Sequence, residues 1–339
     1  MTMAKFVCKF AAGLAFAAAC LFAQAQEAGP HVSPQKPFML ITWFGPGGIQ
    51  LPVGADWKPE LFNVYDNIQR PVAQFSNRAS HLTVSYILFE NHSGKPTSEG
   101  CQEDAITPIL QHQASLISKR KDDHFTSPFG QTFATTSFMV DMGNGQIPHQ
   151  LNLFGFFGNA TTCAEVHISP HGDDPGDLRA MQATLADFHP DLAYQPSADD
   201  YFFFASILFK GSPGLSAPYY KEFLNRLPPG PQTLTMRRVG TDQLVMALGM
   251  SGDLKNSRAV AEMAITDDPD YPLNYFNLAC ADAESGNAAG AQEHLRQAFD
   301  HRANVIKGEL MPDPTADDSI LKLKKNKAFW AFVQSLPRN

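Results

Sequence analysis

The sequence is poor in charge, in cysteine and in the short motifs that mark catalysis. Charged residues make up 18% of its 339 positions, while phenylalanine alone contributes 26. That composition leaves ample apolar material for cores and excludes a chain that is disordered beyond its linkers. Positive charge is scarce as well. The net charge is −8, with lysine and arginine scattered along the chain. Nucleic acid is thereby excluded as the main partner, because it calls for a basic patch or stripe. Long apolar runs are missing apart from one that ends at Phe22, which is too short to span a bilayer comfortably, so no membrane span is expected once it is removed. G-x-S-x-G, H-E-x-x-H and C-x-x-C are all absent, so no reaction is named, no catalytic residue is assigned and no cofactor is expected. Two glycine-bearing loops offer no phosphate site. In NHSGKPTSEGC (91–101) the spacing of Gly94 and Gly100 fits no such loop, and FGPGGIQLP (44–52) leads into a strand rather than a helix. Both read as turns.

The first 25 residues have a consistent pattern of their own. Lys5 and Lys9 precede the apolar run, and Ala23-Gln24-Ala25 supplies the small-x-small signature of signal peptidase. Residues 1–25 therefore read as a signal peptide cleaved after Ala25, with 26–36 as a linker and a periplasmic or secreted product. A lipoprotein reading would use Cys20. It lacks the usual leucine three residues earlier, and processing there stays an open alternative. Removing the leader removes Cys8 and Cys20 and leaves Cys101, Cys163 and Cys280. An oxidising compartment permits a disulfide. Cys101 and Cys163 share the N-terminal region and are the natural pair, worth roughly 4 kcal/mol on the chain-entropy account. The alternative is two separate buried thiols. Cys280, mid-helix among apolar neighbours, reads as packing.

The remaining chain divides into two textures. In residues 37–194, the segments 37–44, 68–76, 82–90, 131–141, 151–159 and 163–169 are rich in β-branched and aromatic residues and are bounded by Gly, Pro, Asn or Ser. GNG (143–145) and GNATT (158–162) between them predict antiparallel hairpins. Helical spacing interrupts this pattern twice. Residues 101–118 place Ile106, Ile109, Leu110, Leu116 and Ile117 on a helical stripe, with Pro108 in the first turn or at a kink. Residues 176–189 do the same with Leu178, Met181, Leu185 and Phe188, behind Asp177 as N-cap. The expectation is an α+β domain, an antiparallel sheet with two helices. Its element order is similar to the PsbP/Mog1-like sandwich, at the level of fold alone.

From residue 198 onward the texture is helical, and a fixed interval appears. Leu244 and Leu278, Gly252 and Gly286, Ser257 and Ala291, and Ala264 and Ala298 are all pairs 34 residues apart. Leu278 and Ala279 lie on a first helix, Gly286 ends it in a left-handed cap, and Ala291 and Ala298 keep the second helix close. With YFNLACADAESGNAAGAQEHLRQAF (275–299), these residues resemble the tetratricopeptide repeat most closely over 238–302. The resemblance implies an all-α array of helical hairpins. Residues 199–227 look like a degenerate first repeat, extending the array to 198–302. Residues 303–337 look like a capping segment in which Phe329 and Phe332 seal the last hairpin.

Two candidate sites follow. HISPHGDDPGD (167–177) collects His167, His171, Asp173, Asp174 and Asp177, types that ligate divalent ions. Helix capping accounts for the aspartates equally well, so a metal site is only the weaker alternative. The resemblance to the repeat family implies the other. Its concave first-helix positions map to Asp242, Met246 and Met250 in one repeat and Phe276, Cys280 and Glu284 in the next. Such soft, mainly apolar residues suit a peptide or a packed domain. The family's carboxylate clamp needs Lys and Asn here, and they are missing. The reading is an exported interaction scaffold with a protein or peptide partner in the cell envelope. Two alternatives stay open: a ligand-binding, metal-binding or hydrolytic N-terminal domain braced by the repeats, and a groove filled by the protein itself, through its own N-terminal domain.

Overall fold

A computed structural model describes residues 38–52, 56–65, 70–141, 149–172 and 174–337. The leader, the linker, the GNG turn and Asp173 lie outside the described residues. The chain divides into two compact units that meet between Phe223 and Leu224.

Among the described residues the first unit holds ten strands: β1 (Met39–Ile41), β2 (Gly48–Gln50), β3 (Trp57–Tyr65), β4 (Arg70–Asn77), β5 (Leu82–Glu90), β6 (Ile117–Thr126), β7 (Thr132–Val140), β8 (Gln150–Gly158), β9 (Thr162–Pro170) and β10 (His189–Asp191). Seven of them form one antiparallel sheet in the order β3-β4-β5-β9-β8-β7-β6. It consists of two meanders, β3 to β5 and β6 to β9, joined where β5 pairs with β9 from Leu82↔Pro170 to Glu90↔Thr162. β1, β2 and β10 form a second, three-stranded sheet.

Alternation along β9 assigns the two faces of the large sheet. Cys163, Glu165 and His167 point to one side. There α1 (Ser98–Gln113) lies across β7, β8 and β9, and Cys101 forms a disulfide with Cys163. The pairing expected from the sequence is therefore present. Gly158 makes it possible, since a Cβ at this position would stand 2.1 Å from the Cys101 sulfur. On the other face α2 (Leu178–Ala186), capped by Asp177 as expected, packs on β8 and β9. Here Gly155 leaves the room that Leu185 fills. A row of rings, Phe38, Phe62, Phe75, Tyr86, Phe188 and Phe133, crosses this face with neighbouring centroids 5.2–6.2 Å apart. Aromatic pairs at this spacing add to the burial that holds the layers together.

Two helices close the first unit, α3 (Ala198–Gly211), entered through a Ser197–Asp200 capping box, and α4 (Pro213–Arg226). The sequence reading placed this pair in the repeat array. In the structure it packs on the small sheet. The Tyr219 hydroxyl donates to the Ile41 carbonyl at 3.2 Å, its ring meets Trp43, and Phe203 meets Phe38 edge-on. Tyr220 and Phe223 pack on Phe202 of α3, while Phe203 and Tyr219 are directed at β1 and its neighbours. The N-terminal unit thus runs on to Phe223 rather than ending at 194.

The second unit contains α5 (Leu234–Met250), α6 (Leu254–Asp267), α7 (Pro272–Glu284) and α8 (Ala288–Asp300) as two consecutive hairpins, then α9 (Asp318–Leu321) and α10 (Lys327–Ser335). Gly252 and Gly286 both take positive φ, +86° and +74°, and end the first helix of each hairpin. Asp253 and Asn287, also 34 apart, cap the second helices. Ser257 and Ala291 are buried at the helix crossings, with Ser257 Oγ donating to the Val245 carbonyl at 3.0 Å. Leu244, Leu278, Ala279 and Ala298 are buried and Ala264 is half-buried. The sealing helix α10 inserts Phe329 and Val333 into the core. Phe332, expected to share that task, is only partly buried and lies under Arg296.

Candidate protein-binding groove

The hairpins are clamped by a charge that the sequence reading missed. Asp282, on α7 and 1% exposed, accepts from Arg258 on α6, from Asn287 Nδ2 at 2.9 Å, and lies 2.6 Å from His294 Nδ1 on α8. One buried carboxylate thus ties the first helix of the second hairpin to the second helices of both. Three partners, one on α6 and two on α8 and its cap, satisfy it, which is the condition for burying a charge. Gly290 belongs to the same arrangement, because a Cβ there would stand 2.8 Å from the Asp282 carboxylate.

The first-helix stripe divides into two parts with different surroundings. On α5, Asp242 accepts from Asn277 Nδ2 at 2.8 Å, Met246 is half-buried, and Met250 is 51% exposed. On α7 the corresponding residues are covered by the segment that follows α8. Phe276 is 3% exposed and packs in one core with Met311 and Ile320. Cys280 Sγ lies 3.6 Å from Asp317 Oδ1, and Glu284 accepts from Ser319 Oγ at 2.8 Å and pairs with Lys322. Phe276, Cys280 and Glu284 therefore face the chain's own 304–323 segment, which occupies their half of the groove. The sequence reading anticipated self-filling only from the N-terminal domain. The signal was weak, since residues 303–316 carry no hydrophobic period.

The segment is anchored at its start by Arg238, one turn before Asp242. That guanidinium holds both oxygens of Asp268, at 2.6 and 3.1 Å, and donates to the Asn304 carbonyl at 3.2 Å over the Tyr271 ring. The Tyr271 hydroxyl donates to Glu309 at 3.0 Å. Burial pushes the carboxyls here upward. Asp242 rises to about 6, with Glu309 adding to the effect, and Glu309 and Asp317 rise as well. Burial also pushes the Cys280 thiol up, so it is no reactive thiolate at neutral pH.

The alternative metal cluster is otherwise engaged. The half-buried His167 lies with Nε2 2.8 Å from Asn152 Oδ1 and stacks on Phe154 at 4.2 Å, and desolvation pulls its pKa down to about 4. His171 is exposed beside Thr83. Asp174 accepts from Gly176 N and Asp177 caps α2. Among the described residues no three such side chains converge on a metal position. The Ser93–Lys95 loop is the turn expected, closed by Asn91 Nδ2 donating to the Lys95 and Asn159 carbonyls. Among the described residues, no helix is long and apolar enough to cross a membrane.

No protein-family model matches this chain, and no curated protein matches it. Among solved structures, the tetratricopeptide domain of Sgt2 from Aspergillus fumigatus aligns with a TM-score of 0.30 and 18% identity, over 43% of this chain and 87% of its own length. A multi-domain immunophilin from Arabidopsis thaliana aligns with a TM-score of 0.27 and 12% identity, over 63% of this chain and 93% of its own.

Proposed function

We propose that the protein is an exported, non-catalytic interaction scaffold whose tetratricopeptide-like hairpins dock a protein or peptide partner in the cell envelope. One observation supports this reading above the rest. The first-helix stripe over α7 already seats another part of the chain, a run of turns leading into the one-turn helix α9, and the same stripe continues along α5 as Met246 and the exposed Met250. A surface that seats one polypeptide segment through apolar anchors and a few polar contacts has the chemistry to seat another. Methionine suits such a surface because its unbranched, polarisable side chain adapts to varied partners.

The test is capture from an envelope extract by the purified chain, compared with Met246→Glu combined with Met250→Glu. Both positions lie outside the closed core, so helicity and melting temperature should hold while capture is lost. Phe276 is unsuitable for this purpose, because a charge at its buried position would unfold the hairpin. Capture undiminished in the double variant would refute the reading.

A further inference from the structure

The 304–323 segment differs in kind from the helices it covers. Between α8 and α9 it has no regular element beyond one short turn (Arg302–Asn304), and Gly308 takes a positive φ of +88°. Its attachment is made chiefly by side chains. These are Glu309 on Tyr271, Met311 in the Phe276 core, Asp317 beside Cys280, and Ser319 and Lys322 on Glu284. The neighbouring Leu310 is left 73% exposed. The seat also carries an electrostatic cost. Glu309 raises the pKa of Asp242, Asp317 approaches Cys280 beside Glu284, and the nearby Arg238 is already committed to Asp268. Residues 305–317 have no regular element and are held by side chains, and such a segment belongs to the class of structure that opens locally, at lower free energy than the hairpins beneath it.

We infer that residues 304–323 form a displaceable strap that occupies the α7 half of the groove and leaves it without unfolding the hairpins. A partner that engages the whole groove must displace it. This inference rests on the docking reading above and makes the strap its autoinhibitory contact. Cys280, under the strap, is the natural reporter, and Cys101 and Cys163 are consumed by their disulfide.

The experiment measures alkylation of Cys280 by peptide mapping in the full chain, alongside amide exchange of α7 and α8. The strap should open ahead of the hairpins, so Cys280 should react faster than α7 amides exchange by global unfolding. Glu309→Ala with Lys322→Ala leaves Met311 and Ile320 in place and should accelerate alkylation tenfold or more, on the order expected when charged hydrogen bonds are lost. In that variant a labelled synthetic peptide of residues 304–323 should bind saturably and slow the alkylation, whereas the wild-type chain should bind it at least about tenfold more weakly, its own strap acting as the competitor. Tyr271→Phe should weaken that binding. Cys280 reacting only as fast as α7 unfolds, in wild type and variant alike, would overturn the inference. So would a folded variant that exposes Cys280 and ignores the peptide. Neither result touches capture through Met246 and Met250, so the docking reading stands or falls separately. Should the double variant fail to fold, the wild-type comparison of thiol and amide rates still decides.

Discussion

The two units achieve order by opposite means. In the sheet unit large rings cross one face in a continuous row, and a disulfide pins the helix on the other. In the helical unit, small residues at the crossings let helices approach, and a satisfied buried charge clamps them. Covalent and aromatic closure leaves the first unit's faces filled. Close packing of short hairpins leaves a first-helix stripe on the surface, and over α7 the protein covers it with its own 304–323 segment. In the docking reading proposed above, binding belongs to the unit whose packing leaves that surface.

The comparison breaks most visibly at the disulfide. Cys163→Ala should cost the sheet unit about 4 kcal/mol on the chain-entropy account. Amide exchange should rise across β5, β8 and β9 while α5–α8 remain protected. Equal loss of protection in both units would show that their stabilities are not separate.

Glu165 gives a smaller, pH-dependent effect. It is 5% exposed on β9, opposite Ile87 and Phe156, and burial pushes its carboxyl up to about 7, with Arg70 opposing. A raised carboxyl favours the fold fully below its ordinary value, and that contribution is lost as pH rises through about 7. Glu165→Gln should therefore stabilise the sheet unit above neutrality, on the order of 3 kcal/mol at most, and be nearly neutral below pH ~4.5. His167 works in the other direction. Its pKa is lowered to about 4, so its contribution is full above the ordinary value near 6.5 and is lost as pH falls through 4. In the glutamine variant, denaturation midpoints of the sheet unit across pH 4–8 should lose the glutamate's contribution and keep the histidine's.

Gly286→Ala is the smallest change. At φ +74° a Cβ is strained, with open space around it, so the cost should be about 1 kcal/mol, confined to the α7–α8 hairpin. Urea melts followed by helix signal would measure it, and a neutral result would mean that the left-handed cap matters less than the repeat spacing implies.

What the sequence made legible follows from these physical differences. The 34-residue interval identified both hairpins because helix crossings demand small residues at fixed places. β5, with its half-buried alternation, and β9, rich in apolar residues and buried over most of its length, were also readable. β6 was not, because ISKRKDDHFT is an edge strand whose exposed charges discourage further pairing, and its composition imitates a loop. β3 was hidden for a related reason, as the opposite edge with a bulge between Pro59 and Leu61. Glu165 could have been found, since period two places it on one face with Cys163 and His167. The strap could not, because side-chain contacts to distant residues leave no local pattern. Among the six groove residues named from the repeat family, contact with the strap separates Phe276, Cys280 and Glu284 from the half-buried Met246 and the exposed Met250.

Photo-crosslinking from two positions, one in each unit, tests the central claim most directly. A photoreactive residue in place of Met250 should yield one discrete adduct with a protein other than itself, lost when Met246→Glu is added. The same residue in place of Lys58 on edge strand β3 should yield none. Adducts of the same kind from both positions, or adducts from position 250 that Met246→Glu leaves unchanged, would contradict a docking role for the groove.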